Sequence, residues 1–213
     1  MSVFLTGTDT GVGKTFTAVR LLIAARARGL RCAGYKPICC GDRGDAELLL
    51  AASSGGLTLD ELNPLWLKTP ASPLTATQIE QVEIDEGRLV DGLIGLQRRF
   101  DYVVVEGVGG WCVPLRQDRL MSDLVVRMDL PVLVVALNRL GVLNHTLLTV
   151  RSIERDGLEC RAVVLNEALG LADIASNTNA EILREILPMP VLPQLVAETE
   201  ELSLPWAEAA GLT

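Results

Sequence analysis

The chain has 213 residues, 49% of them hydrophobic and 22% charged, enough for one full core and too few for two ordinary enzyme domains with a linker. With 27 acidic against 19 basic side chains its formal charge is −8, which argues against a general nucleic-acid or anionic-lipid binder. Five cysteines with no CxxC spacing suggest reduced thiols rather than a disulfide framework or a zinc knot. No apolar run approaches the roughly 20 residues that span a bilayer. Met1 leads directly into a strand-like segment without a basic leader, so a cytoplasmic location is expected.

In chain order, strands are expected near Val3–Thr6, Arg31–Lys36, Tyr102–Glu106, Val132–Leu137, Ala162–Asn166 and Val191–Leu192. Helices are expected to begin near Gly13, Asp42, Ile84, Met121, Leu143, Ala175 and Glu198. Continuous aliphatic runs such as Val103-Val104-Val105 and Val132-Leu133-Val134-Val135 fit central strands buried on both faces. The alternation predicts an α/β fold: one domain over residues 1–213 with a mostly parallel sheet between two helical layers. Ser53–Thr77, rich in Gly and Pro, is expected to wrap an edge of the domain as loop.

Ligands of such sheets sit beyond the carboxyl ends of the strands. The first of these ends is Gly7–Thr15, a glycine-rich segment between a strand and a helix, as a phosphate-binding loop requires. Backbone N–H groups and the helix start would cradle phosphate, Lys14 would neutralise it, and the Thr15 hydroxyl would ligate Mg²⁺. The usual GxxxxGK[ST] spacing puts its first glycine at Thr8, with Gly7 one residue early. Asp9 and Thr10 stand where ATPase switches of the KGGxGK[ST] type carry their extra lysine, which counts against that class.

Sixteen of the nineteen basic residues are Arg, so the three lysines, Lys14, Lys36 and Lys68, are candidates for point-charge work. Lys36 ends the second strand, and Pro37 follows it. Two lysines converging on one site suit a phosphoryl group passing between ATP and an anionic acceptor. Glu106, at the tip of a buried strand, is placed as a Mg²⁺ ligand or water-positioning group, with helix capping as the alternative. Asp45 could complete the metal shell, unless Asp42 exchanges roles with it. His145, the single histidine, lies at a helix start and reads as a supporting or capping residue rather than a general base.

The segments GTDTGVGKT (7–15), GYKP (34–37), Asp45, VEGVGGW (105–111), LGVLNHT (140–146) and LN (165–166) together resemble the dethiobiotin synthetase family, from the first strand to about Asn166. The resemblance implies a P-loop NTPase-like three-layer sandwich that uses ATP and Mg²⁺. It also implies closure of a ureido ring on 7,8-diaminononanoate and CO₂, through a carbamate and its mixed anhydride with phosphate, in biotin synthesis. Carried over by position, it makes Lys36 and Lys14 the catalytic lysines and gives Mg²⁺ to Thr15, Asp45 and Glu106. Nucleotide contacts would come from Gly11, Val12, Gly13, Lys14, Thr15, Phe16, Asp45, Glu106, Gly107, Val108, Gly109, Asn166 and Glu167, and from Val196, Ala197 and Glu198. Asn166 would read the adenine edge, and Thr10 and Lys14 would touch the carbamate. Cys40, where the family usually carries a hydroxyl residue, would lie near the substrate beside Thr10 and Lys36. A second copy in a homodimer would present Gly141, Val142, Leu143 and Asn144 to the substrate carboxylate, whose affinity for open helix N–H groups supports the placement. A glutaminase-linked relative such as cobyrinate synthetase needs a domain for which 213 residues leave no room.

Overall fold

The computed structural model describes residues 1–167, 174–195 and 201–213. Its elements in chain order begin with β1 (Ser2–Gly7), α1 (Lys14–Ala27), β2 (Cys32–Tyr35), β3 (Ile38–Cys40), α2 (Gly44–Ala52), α3 (Leu59–Leu62), β4 (Leu65–Leu67), α4 (Pro73–Glu80) and α5 (Glu86–Gln97). They continue with β5 (Tyr102–Gly110), β6 (Pro114–Arg116), β7 (Arg119–Leu120), α6 (Met121–Met128), β8 (Val132–Asn138), α7 (Val142–Arg155), β9 (Cys160–Glu167), α8 (Ile174–Ile186), β10 (Val191–Pro193) and α9 (Leu204–Ala210).

Six strands form one sheet in the order β10-β9-β8-β1-β5-β2, and every neighbouring pair is parallel. All six strands expected from the apolar runs are in it. Side chains alternate across the sheet: Val3, Leu5, Tyr102 and Val104 pack with α1, α2 and α9, while Phe4, Val103 and Val105 pack with α5, α6, α7 and α8. Both faces are therefore covered, which is why these strands read as unbroken hydrophobic runs. The C-terminal helix α9 is tied to the sheet centre by the Tyr102 hydroxyl, which donates to Ala210 O at 2.9 Å.

The expectation that residues 53–77 form loop is corrected. This stretch holds α3, with a capping box between Thr58 and Glu61, then β4, then the start of α4, where Ser72 caps and Pro73 takes the first turn. Strand β4 pairs parallel with β3 as a small second sheet, and β6 and β7 form a hairpin. Strands of two or three residues carry too little period to be seen in a sequence. Two expected helix starts move by two residues, from Asp42 to Gly44 and from Ile84 to Glu86, and the start expected at Glu198 lies outside the described residues.

Helix α2 approaches β2 closely because Gly34 has no side chain: a Cβ there would lie 2.8 Å from the Leu49 Cβ. Gly34→Ala should therefore push α2 outward and cost about 1–3 kcal/mol, the usual range for overpacking. Urea denaturation would measure it, and an unchanged midpoint would show that the helix gives way freely.

Candidate active site

The segment from Gly7 to Thr15 folds back on itself between β1 and α1. A Cβ on Gly7 would sit 2.7 Å from Asp9 O and 2.9 Å from Lys14 Nζ, so the early glycine is required by the loop's own return path. Gly13 takes φ 94°, and a Cβ on it would collide with the Asn166 carboxamide at 2.1 Å. Lys14 Nζ donates to Asp9 O at 3.1 Å, curling the side chain over the loop. No side chain caps α1, which leaves its leading N–H groups to the loop, the arrangement that receives phosphate.

Beside this loop lies a buried charge cluster. Lys36 is 2% exposed and Glu106 fully buried. Lys36 Nζ is 2.5 Å from Glu106 Oε1 and 3.1 Å from Asp45 Oδ2, and it donates to Gly107 O at 3.4 Å. Thr15 Oγ1 donates to the same Glu106 Oε1 at 2.9 Å. Burial pulls the Lys36 pKa down, but the Glu106 and Asp45 carboxylates outweigh it, and the pKa lies above the ordinary lysine value. Asp45, penalised by partial burial, is held below the usual carboxylate range by Lys36. Lys14 has no such close pair: burial, then the Lys36 charge, bring it down to about 8 against the pull of Glu106, Asp45 and Asp9.

The second Glu106 oxygen, Oε2, is buried without a hydrogen-bond partner among the described residues. With the Thr15 hydroxyl and the Asp45 carboxylate it makes an all-oxygen donor set suited to a hard divalent cation, whose remaining positions would fall to phosphate and water. The residues present therefore fit Mg²⁺. Lys36 pairs with Asp45, while Asp42 Oδ1 accepts from Gly44 N at 2.9 Å and closes the turn before α2.

A cleft of about 720 Å³ joins the loop and the charge cluster. Of the expected site residues, Thr10, Gly11, Gly13, Lys14, Thr15, Lys36, Cys40, Asp45, Glu106, Val108 and Gly109 line it. Gly107 faces Lys36 through its carbonyl, Val12 is buried behind the loop, and Asn166 Nδ2 donates to Val12 O at 2.8 Å while its buried Oδ1 has no partner among the described residues. Phe16 is on the exposed side of α1, and Glu167 lies beyond Asn166 with its carboxylate near the Asn138 amide. Val196, Ala197 and Glu198 lie outside the described residues. Gly141, Val142, Leu143 and Asn144 open α7 and do not line this cleft; Gly141 takes φ 95°, and Asn144 does not cap the helix. His145 is exposed in the first turn of α7, and Lys68 sits over the Trp66 ring at 5.8 Å, outside the cleft.

Pro70, Ala71, Ser72 and Pro73, within the stretch expected as loop, form a wall of the cleft, and Ser-Pro before a helical stretch is the capping signal that marks it. Burial pushes the Cys40 thiol in this cleft up to about 11, with Cys39 and Glu80 adding to the effect.

Comparisons with known proteins accord with this architecture. The family model described as an AAA domain matches residues 1–200. Curated relatives include the ATP-dependent dethiobiotin synthetase BioD of Akkermansia muciniphila, 42% identical over 90% of each chain. That of Anaeromyxobacter dehalogenans is 41% identical over 90% of this chain and 89% of its own. Among solved structures, the septum site-determining protein MinD of Pyrococcus horikoshii, complexed with Mg-ADP, aligns at a TM-score of 0.56 and 13% identity, covering 91% of this chain and 82% of its own. A ParA family ATPase of Chlorobium tepidum aligns at 0.55 and 14% identity over 99% and 90%. At such identities these two structures speak for the fold alone.

Two outcomes follow from the electrostatics. Lys36→Met strands the Glu106 charge in the interior and should cost about 3–5 kcal/mol. Adding Glu106→Gln should recover part of that, and a double-mutant cycle by denaturant titration that shows strict additivity would mean the pair is not coupled. At pH 8, iodoacetamide should alkylate exposed Cys112 well before Cys40, whose reaction should accelerate only as the pH approaches 11, because the thiolate is the reactive form. Peptide mapping against time would show the order, and early labelling of Cys40 would contradict it.

Proposed function

The chain belongs to the ATP-dependent dethiobiotin synthetase family, and we propose that it works as one ligase domain closing a ureido ring on 7,8-diaminononanoate with CO₂ and ATP. One substrate amine adds to CO₂ and loses a proton, giving a carbamate. A carbamate oxygen attacks the γ-phosphorus and ADP departs. The second amine then attacks the carbonyl carbon, the bond to the phosphate oxygen breaks, and phosphate and the amine proton leave.

The observation that carries this reading is that two ammonium groups, Lys14 and Lys36, line one cleft. Transfer between two anions spreads negative charge over the phosphoryl oxygens, and preorganised cations stabilise it at little reorganisation cost. Lys36, held charged by Glu106 and Asp45, takes the catalytic role at the transferring group. Lys14 and the N–H groups of Gly11, Val12 and Gly13 hold the phosphates, and Thr10 with Lys14 orients the carbamate. Thr15, Asp45 and Glu106 would hold Mg²⁺, which when bound supplies Lewis-acid neutralisation of phosphate charge. The buried Oδ1 of Asn166, which has no hydrogen-bond partner among the described residues, suits the exocyclic amine of adenine. Glu167, Phe16 and the 196–198 segment complete the nucleotide contacts on the same reading. Cys40, kept protonated, contributes a weak polar contact to the substrate rather than a nucleophile.

The substrate carboxylate goes to the uncapped start of α7 in a second copy, so the active unit is a homodimer. Leu140, just before that start, and Leu148, about two turns into α7, are exposed large hydrophobic residues and support a partner on this helix. No helix among the described residues is long and apolar enough to cross a membrane. A cytoplasmic enzyme of small-molecule substrates belongs to the same reading.

Phosphate release assayed with ATP and Mg²⁺ should require both the diamine and bicarbonate, and mass spectrometry should detect dethiobiotin. Lys14→Ala should lower turnover about 100-fold or more, the scale of losing one preorganised donor. Release that ignores both substrates and responds to another protein would return the chain to the nucleotide switches.

A further inference from the structure

We propose that Asn63 is a positioning residue for Lys36 and, through Arg43, for Asp45; the inference rests on the role given to Lys36 above. β2 is the edge strand of the sheet, and Lys36 lies one residue beyond its end, followed by Pro37, which has no N–H. The ladder with β5 pairs Cys32 to Tyr35 and stops there. The segment 62–63 holds the Lys36 main chain instead: Lys36 N donates to Leu62 O at 2.9 Å, and Lys36 O accepts from Asn63 Nδ2 at 2.8 Å.

Asn63 is 1% exposed and uses every polar atom it has. Its Nδ2 also reaches Leu65 O at 3.1 Å, and its N donates to Leu59 O at 2.8 Å. Its Oδ1 and its main-chain O accept from Arg43 Nε and an Arg43 terminal nitrogen, both at 3.0 Å. Arg43 further holds Asp60 through both terminal nitrogens and Leu59 O, and it stacks over Trp66 at 5.1 Å. Trp66 Nε1 in turn donates to Gly41 O at 2.7 Å. Arg43 is the residue before α2, two positions from Asp45. The ammonium of the site and one of its two carboxylates thus hang from one carboxamide.

Asn suits this place because it offers a donor and an acceptor in one plane. Aspartate keeps only the acceptor, and leucine of similar size keeps neither. In a buried network the lost partner is not replaced by solvent, so the main chain must move to satisfy Lys36 O. A displacement of about 1 Å at a catalytic group can cost about 100-fold in rate.

The test compares Asn63→Leu and Asn63→Asp with the wild-type chain, with Lys36→Ala as the inactive reference and Tyr102→Phe as a destabilised control remote from the site. Below the melting temperature of every variant, Asn63→Leu should lower kcat about 10- to 100-fold. Its Kd for ADP measured without Mg²⁺, where Asp45 has no metal to hold, should stay within about 2-fold, because no hydrogen bond among the described residues joins Asn63 to residues 7–15. Asn63→Asp, which keeps the Arg43 acceptor, should fall between, and Tyr102→Phe should lose stability with kcat intact. Wild-type kcat in both Asn63 variants, with only the melting temperature lowered, overturns the proposal; if the leucine variant does not fold, the aspartate variant decides alone. An active Lys36→Ala or a wild type that forms no dethiobiotin would count against the functional reading instead. The crystal structure of the aspartate or leucine variant then decides: Lys36 Nζ still within hydrogen-bond range of Glu106 Oε1 and Asp45 Oδ2 overturns the positioning role, and a displaced ammonium supports it.

Discussion

A lysine and a glutamate removed together from water are stable only as a pair, and the Lys36–Glu106 contact is the constraint around which the site is arranged. Glu106 depends on Lys36 for its charge partner, and Lys36 on Glu106 together with Asp45. Meeting at 2.5 Å, Lys36 and Glu106 require the end of β2, the middle of β5, the first turn of α1 and the start of α2 to converge on one point. The pair also sets the protonation pattern of the cleft. Lys36 keeps its proton through two carboxylates, while Lys14, buried nearby and facing a like charge, holds its own more weakly.

The strand order makes that convergence possible. β1 and β5 are neighbours in the sheet, with Leu5 level with Glu106 and Gly7 with Gly110, so the loop leaving β1 lies beside the stretch of β5 that carries the carboxylate. β2 next to β5 brings Lys36 to the same edge. On the other side, β8 and β9 carry Asn166 behind the loop, where it packs against Gly13 and bonds to Val12. The glycines at 7 and 13 serve these approaches, since any side chain would meet Lys14 or Asn166.

The site is also held from outside the main sheet. β3 and β4 prolong the edge beyond β2, and Asn63 and Arg43 anchor the turns that carry Lys36 and Asp45. The Pro70–Pro73 wall closes the cleft above them, with Gly41 packed against Pro70. An edge strand has one open side. Here that side is filled by the segment that also shapes the candidate substrate region.

The amino-acid sequence by itself determined the parallel sheet, the phosphate loop and the residues of the charge cluster. Unbroken aliphatic runs betray strands buried on both faces, and a glycine-rich turn followed by Lys-Thr has a local geometry that its own residues dictate. Lys36 and Glu106 could be picked out because each closes an apolar strand-like run in the sequence, and Asp45 because it follows the first of them closely, although β5 continues past Glu106 to Gly110 and Asp45 lies in the first turn of α2. Only the tertiary structure decided that Asp45 rather than Asp42 faces Lys36, that Lys68 lies outside the cleft, and that residues 53–77 form α3, β4 and the start of α4. A two- or three-residue strand has no period to read, and its existence depends on a partner strand far along the chain. The part played by Asn63 was hidden for the same reason: a carboxamide acquires meaning only from the carbonyl and the guanidinium that folding brings to it.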